Sequence, residues 1–405
     1  MSVDHSPIRG IYFSFVHANN VRHRLASTVR NLDSKGSKVA KARGYPLVLF
    51  LHGFPESWYS WRHQLLALQN RPILAVAPDM RGYGGTCQPQ SVDDYTQPVL
   101  ARDVVRIAQQ LGYDKFVVVG HDWGAMLAWS VSLLYPQNVL GVFGMSVPYV
   151  GLGRRGLLTM LQENYGPCLD PSLPREIVQQ ARFQYMLYHC LPRCDEEYNK
   201  YAEEFLYRIY GYRKGCNIQP GTPEYPITGL MFPPTGNQPL DSSRTLDATA
   251  APGWWERIPR PVDLPPWFTQ KDLDYIVGEF QQRGFLGGIS WYRAADRNFE
   301  MMKKLLDPKN GGHGEQITVP SVFMIGEDDA VLDFHGGKTK VQKGLRKYLP
   351  ALIRDPIFVP NCGHWIQQEA SAIVNDVLFD FLESVVGTVG LQRDLPSTNF
   401  RVSRL

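Results

Sequence analysis

The 405-residue sequence lacks the features that mark several large classes of protein. Its apolar runs fall well short of the ~18 residues that a membrane-spanning helix needs, and its first residues, MSVDHSPIRG, contain no signal-peptide core. Six cysteines show neither metal-ligand spacing nor a disulfide framework, which favours reduced, structural thiols. The 42 Lys and Arg residues nearly balance 39 Asp and Glu residues, and the resulting net charge of +3 predicts no nucleic-acid partner.

Three further motifs are missing. RGYGGT (81–86) follows an apolar run, but no helix and acidic residue complete a dinucleotide-binding fingerprint, so we predict no nucleotide cofactor. We also predict no bound metal. The sequence contains no G-x-S-x-G, and this excludes the usual serine nucleophile of lipases and esterases.

What the sequence does contain is a series of short apolar runs that end in polar residues. PLVLFLHG (46–53), ILAVAPDMRGYG (73–84) and KFVVVGHDWG (115–124) are typical of strands buried on both faces. Between the last two, LARDVVRIAQQLG (100–112) has the apolar spacing of an amphipathic helix that stops at a glycine. Strands that alternate with helices predict an α/β fold with a mostly parallel sheet.

The composition changes twice along the chain and predicts three segments. Residues 1–150 form the first part of an α/β core. Residues 151–297 are helical and rich in Tyr and Phe, with a long proline-rich irregular loop at 215–267, and we expect them to form a lid over one end of the sheet. Residues 298–405 return to strand patterns and complete the core.

Three chemically capable side chains follow apolar runs. Asp122 stands in GHDWG, Asp329 ends VPSVFMIGEDD, and His364 ends DPIFVPNCGH. Ligands of parallel sheets bind outside the carboxyl ends of the strands, so we expect these three residues to meet there. Their chain order is that of a nucleophile, an acid and a histidine, and G-x-D-x-G is a nucleophile elbow with aspartate in place of serine.

At this point the sequence resembles the epoxide hydrolases of the α/β-hydrolase fold. The resemblance lies in HGFPESWYSWR (52–62), RGYGGT, GHDWGA (120–125) and CGHW (362–365), and it extends from about residue 45 to 385. It implies a central sheet flanked by helices with an inserted helical lid, and a small apolar epoxide and water as the substrates. We do not expect the N-terminal phosphatase domain that the large vertebrate enzymes carry.

The predicted chemistry follows from the nucleophile. A carboxylate at Asp122 can open a strained epoxide by attacking a ring carbon, which forms an ester with the enzyme. Water activated by His364, with Asp329 orienting the imidazole, would then cleave this ester. Serine would instead leave an ether that water could not cleave.

The resemblance implies four further site residues. The backbone N–H groups of Phe54 and Trp123 would stabilise the charge on the Asp122 carbonyl oxygen during ester hydrolysis. Two lid tyrosines, Tyr185 in FQYMLY and Tyr292 in SWYRA, would donate a proton to the epoxide oxygen.

Residues near these motifs receive structural interpretations. The resemblance implies a cis peptide before Pro55. We interpret Glu56 as a structural carboxylate rather than a water-positioning group, and His52 and His121 as donors or acceptors to the backbone.

Two alternatives remain open at this point. A haloalkane dehalogenase uses the same triad, and Trp123 could supply one halide donor, but Phe54 and the two tyrosines favour epoxide chemistry. A non-catalytic receptor for a small apolar molecule is the other alternative.

The terminal Ser403-Arg404-Leu405 is one conservative step from a peroxisomal address, so we expect either the peroxisome or the cytosol. The sequence does not indicate which oligomeric state the protein adopts.

Overall fold

The computed structural model of the protein describes residues 6–29, 32, 40–41, 43–165, 185–192, 194–213, 215–219 and 258–387. Within these ranges the strands are β1 (Tyr12–Ala18), β2 (Val21–Ser27), β3 (Leu47–Leu51), β4 (Leu74–Pro78), β5 (Phe116–His121), β6 (Val139–Met145), β7 (Ser321–Gly326) and β8 (Ile357–Val359). No helix in these ranges combines the length and apolar character that crossing a bilayer requires.

The helices fall into three groups along the chain: a first core group, a group between β6 and β7 that we call the lid group after its predicted role, and a second core group. The first core group is α1 (Arg62–Leu68), α2 (Gln97–Gln110) and α3 (Trp123–Leu134). The lid group is α4 (Leu157–Tyr165), α5 (Tyr185–His189), α6 (Cys194–Lys200), α7 (Ala202–Gly211), α8 (Gln270–Arg283), α9 (Leu286–Arg293) and α10 (Ala295–Leu306). The second core group is α11 (Ala330–Phe334), α12 (Gly337–Tyr348), α13 (Ile366–Glu369) and α14 (Ser371–Val386). Short 3-10 helices lie at Trp58–Trp61, Val92–Tyr95, Pro136–Asn138 and Pro308–Asn310.

The strands form one eight-stranded sheet in the order β1-β2-β4-β3-β5-β6-β7-β8. The contacts of β2 with β1 and with β4 are antiparallel, and the other pairs are parallel. Every residue of β3, β4 and β5 is buried, which confirms the prediction of strands covered on both faces. This is the α/β-hydrolase fold that the motifs predicted.

The amphipathic helix predicted at 100–112 is α2. It buries Leu100, Val104 and Ile107 against the core. Gly112 follows it with a φ of 83°, a left-handed conformation that glycine adopts without strain. The predicted stop signal is therefore confirmed.

The lid group lies between β6 and β7 in the chain. The division into 1–150, 151–297 and 298–405 stays a prediction, and α10 runs across its second boundary. Most of the predicted 215–267 loop and the C-terminal Ser403-Arg404-Leu405 lie outside the described residues.

Helix α8 fastens the lid to the core through polar side chains spaced three and four residues apart. Asp272 accepts a hydrogen bond from the Tyr59 hydroxyl at 2.9 Å, and the Tyr275 hydroxyl accepts one from the Trp58 indole at 2.8 Å. One turn further on, Glu279 pairs with the guanidinium of Arg24. Residues at this spacing share one face of a helix, so a single face of α8 is fixed to the core.

Candidate active site

Asp122 lies in a sharp turn between β5 and α3. Its backbone has φ 54° and ψ −122°, a conformation that costs a non-glycine residue about 1–3 kcal/mol. A Cβ at Gly120 would lie 2.2 Å from the carbonyl oxygen of Gly124, and a Cβ at Gly124 would lie 2.0 Å from that of Leu51. Both glycines of G-x-D-x-G are therefore required by close backbone contacts. The turn holds the Asp122 side chain at the carboxyl edge of the sheet.

The structure brings the three strand-end residues together. Nε2 of His364 lies 3.6 Å from Oδ2 of Asp122, and its Nδ1 lies 2.9 Å from Oδ2 of Asp329. The other oxygen of Asp329 accepts the Val331 N–H at 2.9 Å, which fixes this carboxylate. The imidazole thus lies in a line between two carboxylates.

The charges in this line stabilise one another. Burial would raise the pKa of Asp122, but the hydrogen bond and charge of His364 lower it below its ordinary value. Burial would likewise lower the pKa of His364, but the charge of Asp329 and the contacts with Asp122 raise it well above its ordinary value. Both shifts favour an ion pair between an Asp122 carboxylate and a His364 imidazolium.

Of the two predicted backbone donors, Phe54 already contacts Asp122. Its N–H donates to Oδ1 of Asp122 at 2.9 Å. Trp123 is the first residue of α3, and its indole ring packs edge-on against Tyr292 with 5.0 Å between ring centroids. The peptide between Phe54 and Pro55 is cis, as the resemblance implied.

Both predicted tyrosines reach the site from the lid. Tyr185 begins α5 and Tyr292 lies near the end of α9; they are 4% and 2% exposed, and their rings lie 5.7 Å apart between centroids. Burial raises the pKa of both phenols, and the charge of Asp122 raises both further. Both hydroxyls therefore stay protonated at neutral pH. Tyr188, one helical turn after Tyr185, instead bonds Glu197 within the lid.

The two tyrosines and the triad line a single cavity. The space free of atoms, part of it open to solvent, is about 390 Å³. Its polar lining consists of Asp122, Asp329, His364, Tyr185 and Tyr292, and the apolar lining includes Phe54, Ile209 and Trp365. Such a mixture of few polar groups on apolar walls is typical of a site for a small molecule.

His189 lies behind the tyrosines and was not predicted. Its ring centroid is 4.4 Å from that of Tyr292 and 5.2 Å from that of Tyr185, and Nε2 is 3.1 Å from the Tyr198 hydroxyl. Burial, and then the charge of Arg293, lower the pKa of His189 to about 3. The uncharged imidazole of His189 therefore packs behind the two phenol rings.

Further unpredicted contacts hold His364 by its backbone. The His364 carbonyl accepts from Nε2 of His121 at 2.7 Å and from the Ser146 hydroxyl at 2.9 Å. The other ring nitrogen of His121 lies 2.6 Å from a Glu56 oxygen. Ser146 directly follows β6, a strand that the sequence analysis did not predict, so no predicted element pointed to it.

The structural interpretations of His52, His121 and Glu56 agree with their contacts. Nδ1 of His52 lies 3.0 Å from the Gly53 carbonyl, and its Nε2 accepts the Met80 N–H at 2.9 Å. Glu56 is fully buried and accepts the N–H of Gly53 at 2.9 Å. Across the part of the chain that the structure describes, no three His, Cys, Asp or Glu side chains form a group that could hold a metal ion.

Comparison with known proteins agrees with this geometry. Residues 46–185 match the family model described as the alpha/beta hydrolase fold. The chain is 32% identical to epoxide hydrolase A of Mycobacterium tuberculosis, over 88% of this chain and 98% of that protein, and 32% identical to epoxide hydrolase 2 of Siraitia grosvenorii, over 85% and 94%. The crystal structure of epoxide hydrolase A from Mycobacterium thermoresistibile superposes with a TM-score of 0.71 at 30% identity, covering 93% of this chain and 99% of that one.

Proposed function

This chain belongs to the epoxide hydrolases of the α/β-hydrolase fold, and on that premise we propose the residues and steps by which it converts an epoxide to a vicinal diol. One observation carries the proposal. Asp122, whose pKa is held below its ordinary value, lines the same cavity as the buried phenols of Tyr185 and Tyr292, and Nε2 of His364 lies 3.6 Å from its Oδ2. These are the nucleophile, the acids and the base that a two-step hydrolysis requires.

The first step is alkylation of Asp122. Because the Phe54 N–H holds Oδ1, the attacking atom is Oδ2, and Oδ1 becomes the ester carbonyl oxygen. Oδ2 bonds to a ring carbon, the carbon–oxygen bond of the ring breaks, and its electron pair passes to the ring oxygen. That oxygen takes a proton from Tyr185 or Tyr292, whose hydroxyls remain protonated until this moment.

Esterification also changes the state of His364. It removes the Asp122 charge, which is one of the charges that raise the pKa of His364. The imidazolium then gives its proton, through water, to the phenolate that the first step left behind. This proton transfer restores the tyrosine and leaves His364 as a neutral imidazole, so the loss of the Asp122 charge prepares the base for the second step.

The second step is hydrolysis of the ester. His364 takes a proton from water, and the resulting hydroxide attacks the carboxyl carbon of Asp122. The negative charge on Oδ1 is stabilised by the N–H groups of Phe54 and Trp123. The bond to Oδ2 breaks, the diol leaves with a proton from the water, and His364 is again an imidazolium beside an Asp122 carboxylate.

The cavity also indicates the substrate class. Its walls combine the apolar side chains of Phe54, Ile209 and Trp365 with a small number of polar groups. Apolar walls gain free energy by covering apolar surface, at about 25 cal/mol per Å². We therefore assign a small apolar epoxide and water as the reactants. The side chain of Phe54 and the two phenols favour epoxide over halide chemistry.

The ester mechanism is tested by a single turnover in heavy-oxygen water. With enzyme in excess over styrene oxide, the diol should contain ordinary oxygen, and mass spectrometry should find the heavy atom in the peptide that carries Asp122. The Asp122→Ala variant is the control and should form no diol. Heavy oxygen in the diol of the first turnover would show that water attacks the epoxide directly, and the proposed ester would then be wrong.

A further inference from the structure

The loop that carries His364 contains N–H groups with no partner in a strand or helix. It connects β8 to α13, and Asn361 within it has a left-handed φ of 54°. Buried or half-buried N–H groups in such a loop require acceptors, because leaving one unpaired costs about 1–3 kcal/mol. Two of them, on Gly363 and Trp365, directly flank His364.

One side chain supplies both acceptors. Glu369, the last residue of α13, accepts the Gly363 N–H with Oε2 and the Trp365 N–H with Oε1, each at 2.8 Å. The two oxygens thus bracket His364 from the side opposite to its carbonyl, which His121 and Ser146 hold. Side chains thereby hold the peptide unit that joins His364 to Trp365 at both its carbonyl and its N–H, and they also hold the unit that joins Cys362 to Gly363.

We infer that Glu369 is a positioning residue for His364 in the ester-hydrolysis step, acting through the backbone of residues 363–365. The inference rests on the two-step function proposed above. Glu369 does not line the cavity, and its carboxylate oxygens are taken up by backbone N–H groups, so it acts through His364 rather than on the substrate. A loop that shifts by a fraction of an ångström would move Nε2 away from the attacking water, and misplacement of this size slows reactions strongly.

The inference predicts an effect on one step only. Alkylation depends on Asp122 and the two tyrosines, none of which Glu369 contacts. Hydrolysis depends on His364. A change at Glu369 should therefore slow hydrolysis and leave alkylation intact, whereas a general loss of structure would slow both steps.

The test substitutes Glu369→Gln, which keeps the shape of the side chain. The amide oxygen still accepts one N–H, but the amide NH₂ faces the second N–H and cannot accept it. We expect the hydrolysis rate to fall about 10-fold and the alkylation rate to change by less than about 2-fold. In steady state, kcat and KM should fall together while kcat/KM stays the same, and rapid quenching should show the ester accumulating on the Asp122 peptide.

Two reference variants separate the possible failures. His364→Gln removes the base and should trap the ester; if it does not, the proposed function fails. If His364→Gln traps the ester but Glu369→Gln turns over like the wild type, only the inference about Glu369 is wrong. Glu383→Gln on α14 is the matched control and should retain wild-type rates at both steps.

A second substitution covers poor folding of the first. Glu369→Asp keeps the charge but shortens the reach, so it should show the same slowing of hydrolysis to a smaller degree. Equal losses in kcat and kcat/KM for this variant would indicate general damage to the site and would overturn the inference.

Discussion

At the scale of the residue, the ionised state of Asp122 separates the roles of its neighbours. A serine nucleophile needs a base to remove its proton before it can attack, whereas a carboxylate paired with His364 is already ionised. In the mechanism that we propose, the imidazole is therefore not needed in the first step and remains charged. It would become a base only after the ester has formed, so the same histidine would serve charge balance first and proton transfer second.

The two proposed proton donors, Tyr185 and Tyr292, give the sharpest prediction at this scale. Replacing Tyr292 by Phe keeps the ring contacts with Phe54 and Trp123 but removes the hydroxyl. Since general acid catalysis typically contributes about 10²–10⁴-fold, we expect kcat/KM for an epoxide to fall by roughly 10-fold or more in Tyr292→Phe, because Tyr185 remains as a donor.

The double variant and a neighbouring tyrosine complete that experiment. Tyr185→Phe combined with Tyr292→Phe should reduce kcat/KM by about 10²-fold or more. Tyr188→Phe, on the same short helix as Tyr185 but bonded to Glu197, should keep wild-type activity. Loss of activity in Tyr188→Phe together with retention in the double variant would show that the wrong phenols had been assigned.

At the scale of the element, the sequence predicts a strand or helix best where its residue pattern can arise from only one physical cause. Strands β3, β4 and β5 were predicted because burial on both faces demands continuous apolar residues. The hairpin of β1 and β2 was not predicted, since its strands carry histidines and arginines. Its signal was Asn19-Asn20, which have φ values of 50° and 63° at the turn.

The residues of the candidate site also differ in how far the sequence predicts them. Asp122, Asp329 and His364 follow predicted strands, so topology alone brings them together. Ser146 donates a hydrogen bond to the carbonyl of His364, which is distant in sequence, and Glu369 accepts one from the N–H of Gly363 in the neighbouring loop. No sequence motif indicates such contacts. Tyr185 and Tyr292 come from separate helices of the lid, and only the resemblance to a family predicted that they would meet.

The elbow gives a prediction for a single element. In Gly124→Ala the new Cβ would meet the backbone of Leu51, which cannot move without disrupting β3. We expect a loss of about 1–3 kcal/mol in the free energy of unfolding, measured with urea, together with a loss of activity. Gly278→Ala in α8 is the matched control, because a Cβ there meets nothing within 4 Å.

The control should change stability in the opposite direction. Gly278 lies inside a helix, where alanine is favoured over glycine by about 0.5–1 kcal/mol, so Gly278→Ala should be slightly stabilising. If Gly124→Ala were equally stabilising, the close contact at the elbow would not be what restricts that position to glycine.

At the scale of the whole molecule, the cavity of the candidate site lies where the helices between β6 and β7 meet the sheet, and buried charges lie on both sides of that junction. Arg24 on β2 bonds Asp79 at 2.5 Å and also pairs with Glu279 of the lid. Burial and the charge of Asp79 raise the pKa of Glu279. The Glu279 carboxyl therefore adds its own pH dependence to the stability of the molecule, separate from that of Asp122 and His364.

A comparison of the wild type with Asp122→Asn isolates the catalytic pair. The pKa of Asp122 is lowered by folding, so its contribution is complete above the ordinary value of 3.8 and is lost as the pH falls through the folded value. The pKa of His364 is raised, so its contribution is complete below 6.5 and is lost as the pH rises through its higher folded value. Urea unfolding should show the stability of the wild type relative to Asp122→Asn at its maximum between these two values and falling on either side. A difference that stayed constant from acid to alkaline pH would mean that the nucleophile and the histidine are not an ion pair in the resting enzyme.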